Sequence, residues 1–274
     1  MSPFSGPRIS LDLRCDTTAG DLGPVLTTWF ERSLHDIAAP LHERLLARTA
    51  EPADVPVARG VFGGPPGEVW AGLCSENLGY VAYSTGRYAQ FRRDVAAGVD
   101  NLRLDIGSVA PLILPPEMLE AGIDWPVTYE LQPDRLTLTF IRDDDGTGWF
   151  TLDVDPKLIA PGSAGAAALS TMIAAAADQF PIITGHAHLN MPDLDESARG
   201  EQRLWIAFVD AETGDRFGGH AALAATGLFT GIERSAHGGY ILKTSPHAQD
   251  LLTKPGDRGA FRWWASLGRP VEGS

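Results

Sequence analysis

Ile9, Leu11, Leu13 and Cys15 alternate with Arg8, Ser10, Asp12 and Arg14. A period of two puts each set on its own side of a strand, so 8–16 reads as half-buried β-structure. Leu26, Phe30, Leu34, Ile37, Leu41 and Leu45 then recur at spacings of three and four. That is one apolar stripe on a long helix, and Pro40 inside it predicts a kink, because proline lacks the N–H and clashes with the preceding turn. Residues 49–67 are rich in Gly and Pro and read as a loop. Strand-like runs at 68–74 and 78–84 flank a turn at Ser75, Glu76 and Asn77. Residues 86–98 read as helix, and Leu102, Leu104 and Ile106 alternate with polar residues as a further strand.

The order β-α-β-β-α-β over residues 1–107 is the split βαβ, ferredoxin-like order, with two helices on one face of an antiparallel sheet. Residues 108–133 hold five prolines (Pro111, Pro115, Pro116, Pro126 and Pro133) and read as a connector. In 134–274, Leu136, Leu138 and Phe140 pair with Phe150, Leu152 and Val154 across a turn at 143–148. An Ala-rich helix at 164–179 and a strand at 181–190 follow. A second hairpin is expected from 203–209 and 215–218, turning at Glu212, Thr213 and Gly214. A helix near 220–229 and a strand at 239–244 complete the half. The expected fold class is α+β: two ferredoxin-like-type antiparallel sheet/helix halves, related by duplication.

The chain has 274 residues, and 44% of them are hydrophobic, enough for a core and against global disorder. The formal charge is −13. Residues 1–130 carry 10 basic and 17 acidic side chains (net −7), and 131–274 carry 12 and 18 (net −6). No acidic tail and no basic stripe stand out, which argues against nucleic acid and anionic membrane as partners. The N-terminus lacks a signal-peptide run, and the apolar stretch 166–177 is too short to span a bilayer. With two cysteines, Cys15 and Cys74, the expectation is a cytoplasmic protein with free thiols. Arginine supplies 19 of the 22 basic residues, a bias that fits a GC-rich bacterial genome.

The sharpest chemical feature is Gly185-His186-Ala187-His188. Residues two apart on a strand share a face, so the imidazoles point together, with Thr184 and Asn190 beside them. Two such imidazoles can share a zinc or iron ion, which needs a third protein ligand. The candidates are His220, Asp193 and Asp195, with His237 and His247 more remote. The surroundings depart from the metallo-β-lactamase, cupin and α-carbonic-anhydrase patterns, so ordinary residues on a polar face remain the simpler account. Asp143, Asp144 and Asp145 with Gly146 resemble a calcium loop, but the twelve-residue register would begin at Ile141 and end at Leu152. A hairpin turn accounts for them better. The Gly60–Gly67 run lacks the Lys-Ser/Thr of a phosphate loop, and no GxSxG elbow occurs. Tyr80, Tyr83 and Tyr88 lie near Arg87, Arg92 and Arg93, while His35 and His42 fall off the helical stripe and are expected to be exposed. Trp263 and Trp264 are expected to dock the tail against the core or to anchor an interface.

Two functions follow as expectations. The first is a non-catalytic cytoplasmic binding protein that sequesters a basic protein partner, without a cofactor. The strand/helix layout, the small-residue strand at 181–189 and the Gly-Gly-Tyr-Ile-Leu-Lys-Thr stretch at 238–244 resemble bacterial immunity proteins that neutralise toxins delivered between cells. The resemblance lies in general shape and carries no functional residue across. The second is a metal-dependent hydrolase or oxygenase built on His186 and His188, with His220 or Asp193 as third ligand and zinc or iron as cofactor. A small-molecule ligand in a cleft between the halves stays open.

Overall fold

In the computed structural model of the protein, the described residues are 7–18, 20–47, 69–111, 129–190, 203–253, 260, 263, 264 and 266. The first strand, β1 (Arg8–Asp16), buries Ile9, Leu11, Leu13 and Cys15 as the alternation requires. Helix α1 (Leu22–Arg32) starts at Asp21, whose carboxylate accepts the Gly23 amide at 3.1 Å and satisfies one of the free N–H groups of the first turn. The kink expected at Pro40 is a π-helical turn, Ser33–Ile37, closed by the Ala38 amide on the Ser33 carbonyl at 2.8 Å. Pro40 then sits in the first turn of α2 (Ala39–Leu46), where its missing N–H does no harm.

The chain continues through β2 (Val69–Ser75), β3 (Gly79–Ala82), α3 (Thr85–Ala97) and β4 (Asn101–Pro111). Next come β5 (Tyr129–Arg142), β6 (Thr147–Val154), α4 (Ala164–Gln179) and β7 (Ile182–Asn190). The last elements are β8 (Arg203–Val209), α5 (Ala211–Arg216), α6 (Gly219–Ala225), β9 (Gly231–Arg234), β10 (Tyr240–Lys243) and α7 (Asp250–Thr253). Most of the 108–133 connector, namely 112–128, lies outside the described residues, as does all of the 49–67 loop. The ends of the connector are strand, since β4 runs to Pro111 and β5 begins at Tyr129.

The fold is α+β, built on one antiparallel sheet of ten strands in the order β3-β2-β4-β5-β6-β1-β7-β8-β10-β9. Strand β1 does not join β2, β3 or β4. It pairs with β6 on one edge and β7 on the other. Helices α1, α2, α3 and α4 pack on the first sheet face and on one another. The centre of that core is aromatic. Phe150 lies 4.9 Å from both Trp29 and Phe140, and 6.5 Å from Phe180. A smaller core forms on the second face at the β8-β10-β9 end, where Leu204, Ala207, Val209, Tyr240 and Leu242 meet Leu223, Phe229 and Trp263.

Two local expectations are corrected. The 203–218 hairpin does not form, because Asp210 accepts the Thr213 amide at 2.7 Å and starts helix α5. Glu212 in the first turn, bonded to Arg216 at 2.8 Å, adds to that helix. Strand β8 pairs instead with β10, whose other edge takes β9, a four-residue strand too short to show a period. His42 is buried rather than exposed (8%) and contacts the Tyr83 hydroxyl at 3.3 Å. The π turn adds one residue to the helix, which rotates everything after it by about 100° and swings His42 inward.

Phe150 is fully buried against three aromatic rings, so Phe150→Ala should cost about 3–5 kcal/mol in urea denaturation. Ile141→Ala, at a position 44% exposed, should stay within about 0.5 kcal/mol. Equal losses at the two positions would show that the core is not centred there.

Candidate functional site

The second face of the sheet carries the polar half of every alternating strand. By register, Thr139, Thr151, Asp12 and His186 lie in one row, and Thr137, Asp153, Ser10 and His188 in the next. Ile141, Trp149, Arg14 and Thr184 form a third row. At the β4 side, the Asp105 carboxylate accepts from Tyr80 (2.7 Å), Thr137 (2.8 Å) and twice from Arg103 (2.6 and 3.0 Å). Burial, then Asp105, raises the Tyr80 phenol well above its ordinary range. With all its bonds made, this group reads as structural. Tyr83 and Tyr88 sit apart from Tyr80, in edge-to-face contact with His42 and His35. Glu31 there meets Arg92 at 2.5 Å and His35 at 3.0 Å.

At the β7 side the face folds into a cleft of about 380 Å³ lined by Asp12, Arg14, Thr184, His186, Asp210 and Trp264, among others. Gly185 lets β7 approach closely, since a Cβ there would meet the Asp12 carbonyl oxygen at 2.4 Å. Trp264 donates its indole N–H to the Gly185 carbonyl at 3.1 Å and lies 4.3 Å from the His186 ring. The expected docking of the C-terminal tryptophans is therefore met, with Trp263 against Phe217 and Phe229. The Arg14 guanidinium lies over Trp149, 3.4 Å from the ring centroid, with its Nε 3.6 Å from Asp12 Oδ1. That distance is an ion pair without a hydrogen bond, and Asp12 Oδ1 is buried with no hydrogen-bond partner.

His186 and His188 share the face, as the spacing requires. Their rings stack at 4.8 Å with planes 17° apart. Both are held toward the neutral form. Burial lowers the His186 pKa, with Asp12 opposing and Arg14 assisting, and burial followed by His186 lowers His188 to about 4. His188 Nδ1 is buried without a hydrogen-bond partner. His220 lies on α6 and does not join the pair, while Asp193 and Asp195 lie outside the described residues. Among the described residues, no three His, Cys, Asp or Glu side chains are grouped to hold a metal ion. Asp12, Arg14 and Asp210 were not singled out by the sequence pattern. The first two looked like the wet side of a strand, and only the β1–β7 register brings them to His186.

No helix among the described residues is long and apolar enough to cross a membrane. Neither Cys15 nor Cys74 is in a disulfide, and burial pushes the Cys15 thiol up to about 12. No protein-family model matches the sequence, and no curated protein matches it. Among solved structures, a Pseudomonas aeruginosa T6SS protein is similar, with a TM-score of 0.48 at 12% identity over 89% of this chain and 68% of that one. At that score the likeness assigns neither function nor site.

The lowered His188 pKa makes stability depend on pH. The unfolded chain binds the His188 proton near 6.5, whereas the folded chain binds it only near 4. Between those values the unfolded state holds more protons, so stability is complete above about pH 6.5 and falls as pH drops toward 4. The expected loss is roughly 3 kcal/mol, removed in large part by His188→Gln. Denaturation of both proteins at pH 7 and pH 4 measures it, and equal pH losses in the two would refute it.

Proposed function

We propose that the protein is a non-catalytic, cytoplasmic binding protein that sequesters a basic protein partner, in the manner of bacterial immunity proteins. The observation that carries this reading is the acidic end of the sheet. Asp143, Asp144 and Asp145 are exposed on the β5–β6 turn, and Asp16 ends β1 opposite Thr147 on the same turn. Hydrogen bonds from Thr147 hold the Asp145 pKa below its ordinary value, with the nearby Asp16 charge opposing as the smallest influence. The turn backbone is held by its own hydrogen bonds, and the Asp145 carboxylate is fixed by accepting the Thr147 amide at 2.8 Å. Like charges gathered at one end repel one another, and a basic partner relieves that repulsion while being drawn in by the field. The polar sheet face beside the turn offers side-chain donors and acceptors for a specific contact.

A second reading, the metal-dependent enzyme, draws on His188, whose unpartnered Nδ1 is a ring nitrogen available for ligation. Zinc or iron on His186 and His188 would need Asp193 or a ligand of other origin to complete the site, since His220 does not join the pair. Elemental analysis of the purified protein separates the two readings. About one equivalent of metal, lost in His188→Gln, would favour the enzyme, and less than about a tenth of an equivalent would remove it.

For the binding reading, a pull-down from the source organism should retain a basic protein at about 0.05 M salt and release it near 0.5 M, as the Debye length shrinks. Replacing Asp143, Asp144 and Asp145 by Asn keeps the turn acceptors and should slow association several-fold without changing stability. Failure to retain any basic protein at low salt, or retention indifferent to salt and to the triple variant, would overturn it.

A further inference from the structure

The cleft beside Trp264 has an unbalanced set of charges. Among the described residues, two carboxylates, Asp12 and Asp210, line it against one cation, Arg14. That cation is already engaged, stacked on Trp149 and ion-paired with Asp12. Asp12 remains under-satisfied: its side chain is 30% exposed, and its buried Oδ1 accepts no hydrogen bond. A buried carboxylate oxygen without a donor is a costly arrangement in a folded protein. Burial keeps the neighbouring His186 toward its neutral form, so its ring adds no positive charge near neutral pH. Trp264, Ile183 and Val209 add apolar side chains to the lining.

We propose that this cleft binds a guanidinium group, with Asp12 and Asp210 as its carboxylate partners and Trp264 as the aromatic wall. A cation restores the charge balance, whereas an anion would meet two carboxylates and find Arg14 occupied. Among organic cations, guanidinium suits the lining best. It is planar, it is weakly hydrated beside apolar walls, it stacks on aromatic faces, and its fork of N–H donors matches a carboxylate. The volume of about 380 Å³ is in the range of small-ligand clefts and holds an arginine-sized group. Such a group has two sources, a free small molecule or an arginine side chain presented by a protein. The second rests on the binding-protein reading above, and the first does not.

Calorimetric titration of the whole protein with agmatine is the test, with n-butylamine and inorganic phosphate alongside. Agmatine should bind saturably and more tightly than n-butylamine, and phosphate should not bind. Asp12→Asn should weaken agmatine at least about tenfold. Asp210→Ser, which keeps a helix-capping hydroxyl, should weaken it in the same direction. If Asp12→Asn fails to fold, Trp264→Leu takes its place as the lining variant. No saturable agmatine binding to the wild type would overturn the proposal, as would unchanged affinity in a lining variant of unchanged melting temperature. An acetyl-Gly-Arg-Gly-amide peptide separates the sources. Binding at least as tight as agmatine supports a side chain from a protein, and exclusion of the peptide while agmatine binds supports a free small molecule. The basic-partner reading fails on the salt-dependent pull-down, independently of the agmatine result.

Discussion

Strand β1 is hydrogen-bonded along both edges, to β6 on one side and β7 on the other, near the middle of ten strands. Its backbone groups are satisfied only if both pairings hold together, and each pairing fixes which side chains point to which face. Leu13 opposite Phe150 and Gly185 turns the apolar set to the helices. The same register sets Arg14 opposite Trp149, Asp12 opposite His186 and Ser10 opposite His188. A slip of one residue would bury Asp12 and Arg14 and expose Ile9 to Cys15, so the core and the cleft depend on one alignment. The bulge between Arg14 and Cys15 ends the regular β7 pairing just past the cleft.

The two faces of the sheet are finished differently, and the cleft lies where the second finish stops. Four helices cover the first face around Phe150 and Trp29. Among the described residues, apolar packing covers the second face over β8, β10 and β9, through α6, Phe229 and Trp263. Trp264 belongs to that cover, tied to the Gly185 carbonyl and lying on His186. Past it, the face passes at once to Asp12, Arg14 and Trp149. A cleft at such a boundary has one apolar wall and one charged wall, the usual composition of a site that binds an organic ion.

The local elements were legible because they depend on local periods. The alternation of β1, the stripe of α1 and α2, the β5–β6 hairpin and the Ala-rich α4 are all visible within windows of a dozen residues. The shared polar face of His186 and His188 was legible for the same reason. What was not legible is pairing across long separations, as β1 joins β6 and β7 rather than β2 to β4. Without that register, Asp12 and Arg14 look like any solvent side of a strand, and Asp210 looks like a turn residue. His42 was misplaced because a π turn leaves no signature in the apolar spacing until the rotation has happened. The α5 helix was missed where Gly214 suggested a turn, although Asp210 three residues before Thr213 is a capping signal.

The even spread of −13 along the sequence does not mean an even field in space. Folding brings Asp16, at the end of one strand, to the turn bearing Asp143, Asp144 and Asp145, more than 120 residues away in the chain. Asp12 lies four residues back along the same strand, about 13 Å from Asp16 at the rise of a β-strand. That is comparable to the Debye length of about 10 Å at 0.1 M salt. At low ionic strength the acidic turn therefore adds to the attraction a cation feels at the cleft. At several tenths molar that contribution is screened, and only the contacts within the cleft remain. Attraction at the sheet end and fit in the cleft thus separate by salt: the first governs how fast a cationic partner arrives, and the second how long it stays.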